Sequence, residues 1–260
     1  MITDRRNRGF SILLVLIVVT VILLVAVFFI FLIRQVRGND RKAVQNTIHD
    51  IKTKSERCEL SPKVIAPVDI QSISSFTYPG QQRDGVYATM SRLNVKSSTN
   101  DVNITLPLKS KLISGSRYTD KGETQYMLTF ETNCKIRISY DHLSLVALEL
   151  MEDVSKLVET SKDAKEATQL IGKEYDLGTV VATKIGYPKT NNAFFDFGMY
   201  DFNSVNRISN DADWAKAPIH SSQEAIHGVC WMNYLGEPDK LSLQALTPSG
   251  ILVPTGDYCK

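Results

Sequence analysis

The chain has 260 residues, 43% of them hydrophobic and 22% charged, which excludes a disordered or low-complexity polymer and leaves room for a membrane span plus a compact domain. The formal net charge of +2 hides an asymmetry: residues 1–42 hold seven Lys/Arg against two Asp/Glu, leaving 23 basic and 26 acidic side chains in 43–260. No basic stripe follows Lys42, so nucleic acid, whose phosphates demand clustered cations, is set aside as a partner.

Phe10 to Ile33 is 24 residues without a charge, enough at about 1.5 Å per residue to cross a bilayer as a helix with some tilt. The run passes straight into Arg34 and Arg37 with no small-residue cleavage site, so it reads as a retained single-pass anchor in the lipid bilayer. Arg5, Arg6 and Arg8 before the span balance Arg34, Arg37, Arg41 and Lys42 after it, so basic flanks leave the orientation close to a tie. Cys58, Cys134, Cys230 and Cys259 all lie beyond the span, an even count that fits an oxidising compartment and places the C-terminal domain outside the plasma membrane. Arg8-Gly9-Phe10-Ser11 and the apolar run also resemble the start of type IV pilin precursors, which are cut after the Gly; Leu14 stands where most pilins carry a Glu.

Val44, Ile48 and Ile51 have helical spacing in a polar stretch, giving a juxtamembrane helix on which His49 is solvated. Pro62, Pro67 and Pro79-Gly80 mark a linker and a turn. Four short β-rich segments follow, Val102 to Leu106, Lys111 to Ser114, Gln125 to Phe130 and Lys135 to Tyr140, the spacing of a sandwich or flattened barrel. Leu143, Val146, Ala147, Leu150, Val154, Leu157 and Val158 recur every three or four residues and predict one amphipathic helix through about Ser161, with Glu149, Glu152, Asp153 and Lys156 facing water. Thr179 to Ile185 and Ala193 to Phe202 form a further strand pair, and Asp211 to Lys260 is a turn-rich tail anchored by Trp214, Trp231 and Tyr234.

The expected fold is mostly β with one amphipathic helix behind a single N-terminal transmembrane helix. The divisions are a cytoplasmic tail (1–9), the span (10–33), the juxtamembrane helix (34–60), a linker and domain entrance (61–84), the β domain (85–202) and a C-terminal extension (203–260). Pairing Cys58 with Cys134 and Cys230 with Cys259 is one of three connectivities, each bridge contributing roughly 2–4 kcal/mol. Asp196 and Asp201, five apart on a strand, point to opposite faces and make no coupled acid/base pair. Asp120 and Glu123 flank Gly122 in a hairpin loop and read as solvated. The sequon Asn103-Ile104-Thr105 is of a kind chance supplies once per chain, in a sequence of bacterial character.

Between residues 85 and 202 several segments in series resemble lysostaphin-type zinc endopeptidases: Thr105-Leu106-Pro107-Leu108 through Gly115, Tyr140-Asp141-His142-Leu143, Asp176-Leu177-Gly178-Thr179, and Phe194-Phe195-Asp196-Phe197 where the family has His-x-His-Phe-Glu. The resemblance implies a duplicated hybrid motif fold. That family takes its zinc ligands from a His-x-x-x-Asp pair and the second His of His-x-His. Here Gly80 to Asn94 contains no His, and the two His-x-His positions are Phe194 and Asp196, so only His142 survives. The expectation is therefore an inactive, peptidase-like domain with no catalytic residues, no metal and no cofactor. It would bind or scaffold peptidoglycan or an envelope protein through a groove lined by His142, Asp196, Tyr126 and Tyr200. Two other readings stand beside it: a zinc-dependent cell-wall hydrolase with ligands recruited from His220, His227 and Asp196, and a minor pilin-like subunit.

Overall fold

A computed structural model describes residues 64–83, 85–161, 167–246 and 256–260, all within one compact unit. The anchor, the juxtamembrane helix, Cys58 and the pilin-like start lie outside the described residues. Among those described, no helix is long and apolar enough to cross a membrane.

The domain is mostly β. Its strands are β1 (Ile73–Phe76), β2 (Gln81–Arg83), β3 (Val86–Ala88), β4 (Ser91–Val95), β5 (Asp101–Thr105), β6 (Ser110–Asp120), β7 (Glu123–Glu131), β8 (Ile136–Val146), β9 (Glu159–Ser161), β10 (Thr168–Gln169), β11 (Glu174–Tyr175), β12 (Val180–Ile185) and β13 (Phe194–Asp201). Eleven of them make one sheet with the path β1-β4-β13-β8-β7-β6-β10; β9 and β11 also pair with β6, and β12 joins β8 to β5. β2 and β3 form a separate hairpin. The segment expected as a linker, 61–84, thus already carries β1 and β2.

The sheet is two-faced because its strands alternate. On β4, Ser91, Leu93 and Val95 are buried while Arg92 and Asn94 are half-buried on the reverse face. On β13, Phe195, Phe197 and Met199 enter the core with Leu93, Ile138, Tyr140, Leu128 and Phe130. The C-terminal section closes that face: Trp231 is fully buried, meets Phe197 edge-on at 5.0 Å and donates its indole N–H to Ser91 Oγ at 2.8 Å. Its helices are short, among them α2 (Ala212–Lys216), α3 (Gln223–His227) and α4 (Glu237–Gln244), following α1 (Met151–Val154). Cys230 and Cys259 are bonded and tie the chain's end to this layer. Cys134 is also disulfide-bonded.

The four expected strands are present as β5 to β8, but the helix expected from Leu143 to Ser161 is not. β8 runs on through Val146, a single 3-10 turn covers Leu148–Leu150, and α1 has four residues. The buried residues Tyr140, Leu143 and Val146 are three apart because β8 is bulged: its register slips against β7 between Tyr140 and Leu143 and again against β12. Each slip inserts a residue and imitates helical spacing inside a strand. Asp153, expected in water, is buried, where its carboxylate accepts from Lys156 Nζ at 2.8 Å, Tyr175 Oη at 3.1 Å and the Lys173 amide at 3.2 Å. β12 and β13 do not pair with each other; both pair with β8, β13 along Ile136–Asp141 and β12 from Leu143 onward.

Candidate binding site

His142 sits where β8 changes partner from β13 to β12. Its φ is +62°, the left-handed region that non-glycine residues rarely enter, and its carbonyl accepts from the Gly186 amide at 2.8 Å. Gly186 opens the fork on the other side with φ +66°; a Cβ there would lie 2.0 Å from the Asn192 carbonyl oxygen. The bulge turns the imidazole toward the sheet face opposite the core.

That face carries a row of charge. Asp196 on β13 is flanked across the strands by Arg92 on β4 and Asp141 on β8. Arg92 grips Asp196 with two donors, Nε to Oδ1 at 2.8 Å and Nη2 to Oδ2 at 3.0 Å. Arg83, reaching over from the β2–β3 hairpin, adds a third at 3.1 Å. His142 Nε2 lies 3.4 Å from Arg92 Nη2 and 3.9 Å from Asp196 Oδ2. Burial pulls the Arg92 guanidinium toward neutrality, but the hydrogen bonds and charge of Asp196 outweigh it and hold the group above its ordinary value.

Asp141 and Asp120, both buried, extend the row. Asp141 Oδ1 accepts from Tyr118 Oη and, at 2.8 Å, from the His142 amide, while Asp120 accepts from Tyr187 Oη. Burial, with the neighbouring carboxylates, raises both phenols well above their usual range, so Tyr118 and Tyr187 are donors at any physiological pH. Phe194 packs against the row, with the Arg92 guanidinium 4.4 Å over its ring and the His142 ring at 4.8 Å.

Two of the four sequence-derived candidates, His142 and Asp196, therefore meet. Tyr200 shares the Asp196 face two positions beyond Gly198; its buried ring leans back over that glycine, and its hydroxyl is 3.2 Å from Thr89 Oγ1. Tyr126 does not join them: it lies on β7 opposite Leu143 and packs half-buried against the core, because its register position faces inward. Asp120 is not a solvated loop residue, since Tyr187 covers it. Asp201 caps its own turn through Asn203 and Ser204, apart from Asp196.

Zinc does not fit this row. Both oxygens of Asp196 are already engaged by guanidinium donors, and two fixed cations beside the carboxylate oppose a third positive charge. The tail residues do not supply an alternative. His220 and His227 turn Nδ1 to the Trp214 and Ser204 carbonyls at 2.6 and 2.8 Å, which leaves Nε2 of each open, but Asp196 belongs to the arginines. Among the described residues no three His, Cys, Asp or Glu side chains are grouped to hold a metal.

Sequence reasoning passed over Arg83, Arg92, Tyr118, Asp141 and Tyr187. One signal was available: Asp196 stands alone among Phe194, Phe195 and Phe197, and a carboxylate buried in an apolar strand needs a cation or hydrogen-bond donors across the sheet. No family model, curated protein or solved structure matches the chain.

Proposed function

We propose that this is a single-pass protein of the cell envelope, held in the plasma membrane by Phe10 to Ile33, whose extracytoplasmic domain has a lysostaphin-type, sandwich-like or flattened-barrel fold and no peptidase chemistry. It binds or scaffolds peptidoglycan or another envelope protein. The observation that carries this reading is the arginine-locked Asp196 beside His142. These are the positions of the second His of His-x-His and of the His of Tyr-x-His-Leu in the resembled family. An arrangement of fixed, mutually satisfied charges offers hydrogen bonds and a rigid surface, which suits recognition.

The test is metal analysis of the purified full chain, together with co-sedimentation on insoluble peptidoglycan and in-cell crosslinking. The expected result is substoichiometric zinc and no chelator-sensitive wall hydrolysis, with retention on peptidoglycan or one crosslinked envelope protein, either reduced by Arg92→Ala. Stoichiometric zinc with chelator-sensitive hydrolysis would overturn the reading. So would a chain that neither sediments with the wall nor crosslinks to a partner.

A further inference from the structure

The C-terminal layer holds a cavity of about 330 Å³, remote in sequence from the charged row, lined by Trp214, His220, Asn210, Ser209, Ser221 and Ile226 among others. None of its lining residues carries a permanent charge. Its volume lies near the bottom of the range for ligand pockets, ~300–1,000 Å³, so it seats a single ring.

The walls are pre-set. Trp214 and His220 stack at 4.0 Å with their planes 8° apart, and Tyr87 meets His220 edge-on at 4.3 Å. The indole N–H donates to Asp257 Oδ2 at 2.9 Å, on the strap that Cys259 pins to Cys230. A carbonyl only accepts, so the 2.6 Å contact to the Trp214 carbonyl puts the proton of the neutral imidazole on Nδ1 and makes Nε2 its acceptor. Ser209 and Ser221 spend their hydroxyl protons on the Asn206 and Pro218 carbonyls and present lone pairs. The Asn210 side-chain amide makes no hydrogen bond among the described residues and supplies both a donor and an acceptor.

We infer that this cavity is a binding site for one neutral sugar ring. Aromatic and aliphatic walls suit the C–H faces of a pyranose, while acceptors at the rim, together with the Asn210 amide, suit its hydroxyls. A charged ligand would find no permanent counter-ion among the described lining residues. The inference does not rest on the proposed function, since no residue of the charged row lines the cavity.

The test uses the full chain in a sugar-free detergent, titrated with an N-acetylglucosamine tetramer, with glucose, and with glucuronate as the charged comparator. Tryptophan fluorescence reads the occupancy, because Trp231 is buried and the response falls on Trp214. The expected result is a saturable change with at least one neutral sugar, at least tenfold weaker affinity in Asn210→Ala, and unchanged affinity in Arg92→Ala. The Asn210 side chain makes no hydrogen bond to lose among the described residues, so that variant keeps its fold, checked by an unaltered far-UV spectrum. The inference fails if neither neutral sugar gives a saturable response, if Asn210→Ala binds as tightly as the parent, or if glucuronate binds as well. Absence of sugar binding in the parent chain with wall retention intact would count against the cavity alone, and sugar binding without wall retention against the charged row.

Discussion

Replacing Arg92 by alanine tests the account of the charged row most directly. Asp196 is 4% exposed and accepts three charge-assisted hydrogen bonds, two of them from Arg92. The substitution leaves the carboxylate buried with Arg83 as its remaining guanidinium and strips the cation from the face of Phe194. Removing one partner of a buried pair costs ~3–5 kcal/mol, because the survivor keeps its desolvation penalty. The Arg92 side chain is 28% exposed, so water recovers part of this, and the expected loss is ~2–4 kcal/mol. At ~2–4 °C per kcal/mol for a domain of this size, Tm should fall by roughly 5–15 °C. Urea unfolding followed by tryptophan fluorescence measures it, and the loss should persist at high salt, since buried pairs are poorly screened. Adding Asp196→Asn to Arg92→Ala should recover stability relative to the sum of the single changes, by at least ~1 kcal/mol. Additive effects, or an Arg92→Ala protein within ~0.5 kcal/mol of the parent, would refute the reasoning.

Asp153 gives a pH-dependent counterpart. Burial alone would raise its carboxyl above the ordinary 3.8, but Lys156, the Lys173 amide and Tyr175 bind the charged form and together hold it lower. With the folded value below the unfolded one, the stabilisation is full above the unfolded value and disappears as pH falls through the folded one. Asp153→Asn should therefore cost ~1–2 kcal/mol at pH 7, with the gap to the parent narrowing below about pH 4; an equal gap at pH 3 and pH 7 would contradict it. Gly198→Ala should destabilise by ~1–3 kcal/mol through overpacking, since its Cβ would sit 2.5 Å from Tyr200 Oη and 2.8 Å from Met90 Cγ. Combining it with Tyr200→Phe should restore part of that loss in thermal unfolding, and no restoration would mean that the hydroxyl is not the obstacle.

Much of the sheet was legible because its strands are short, β-branched or aromatic, and bounded by turn residues. The Lys121-Gly122 hairpin is an example, with φ of +51° and +70° at its two turn residues. Half of the site was legible as well: His142 and Asp196 are singled out by their places in the Tyr-x-His-Leu and His-x-His segments of the resembled family. Their partners are not, since Arg92 is 104 residues from Asp196 and Arg83 is 113, and nothing local distinguishes them from solvated arginines. The 143–161 segment misled because hydrophobic period encodes burial, and a bulged strand that changes partner brings apolar side chains into the core three residues apart, as a helix does.

By itself the amino-acid sequence determined the local terms: the apolar run at Phe10 to Ile33, the β-rich composition beyond it, the turns at Gly and Asn, and the want of histidines between Gly80 and Asn94. Only the tertiary structure decided which carboxylates are buried, which cations neutralise them, and that Trp214 and His220 stack to wall a cavity. The division follows from the range of the forces. Propensity and turn geometry act over a few residues, whereas desolvation and ion pairing depend on neighbours that strand pairing brings together from distant parts of the chain.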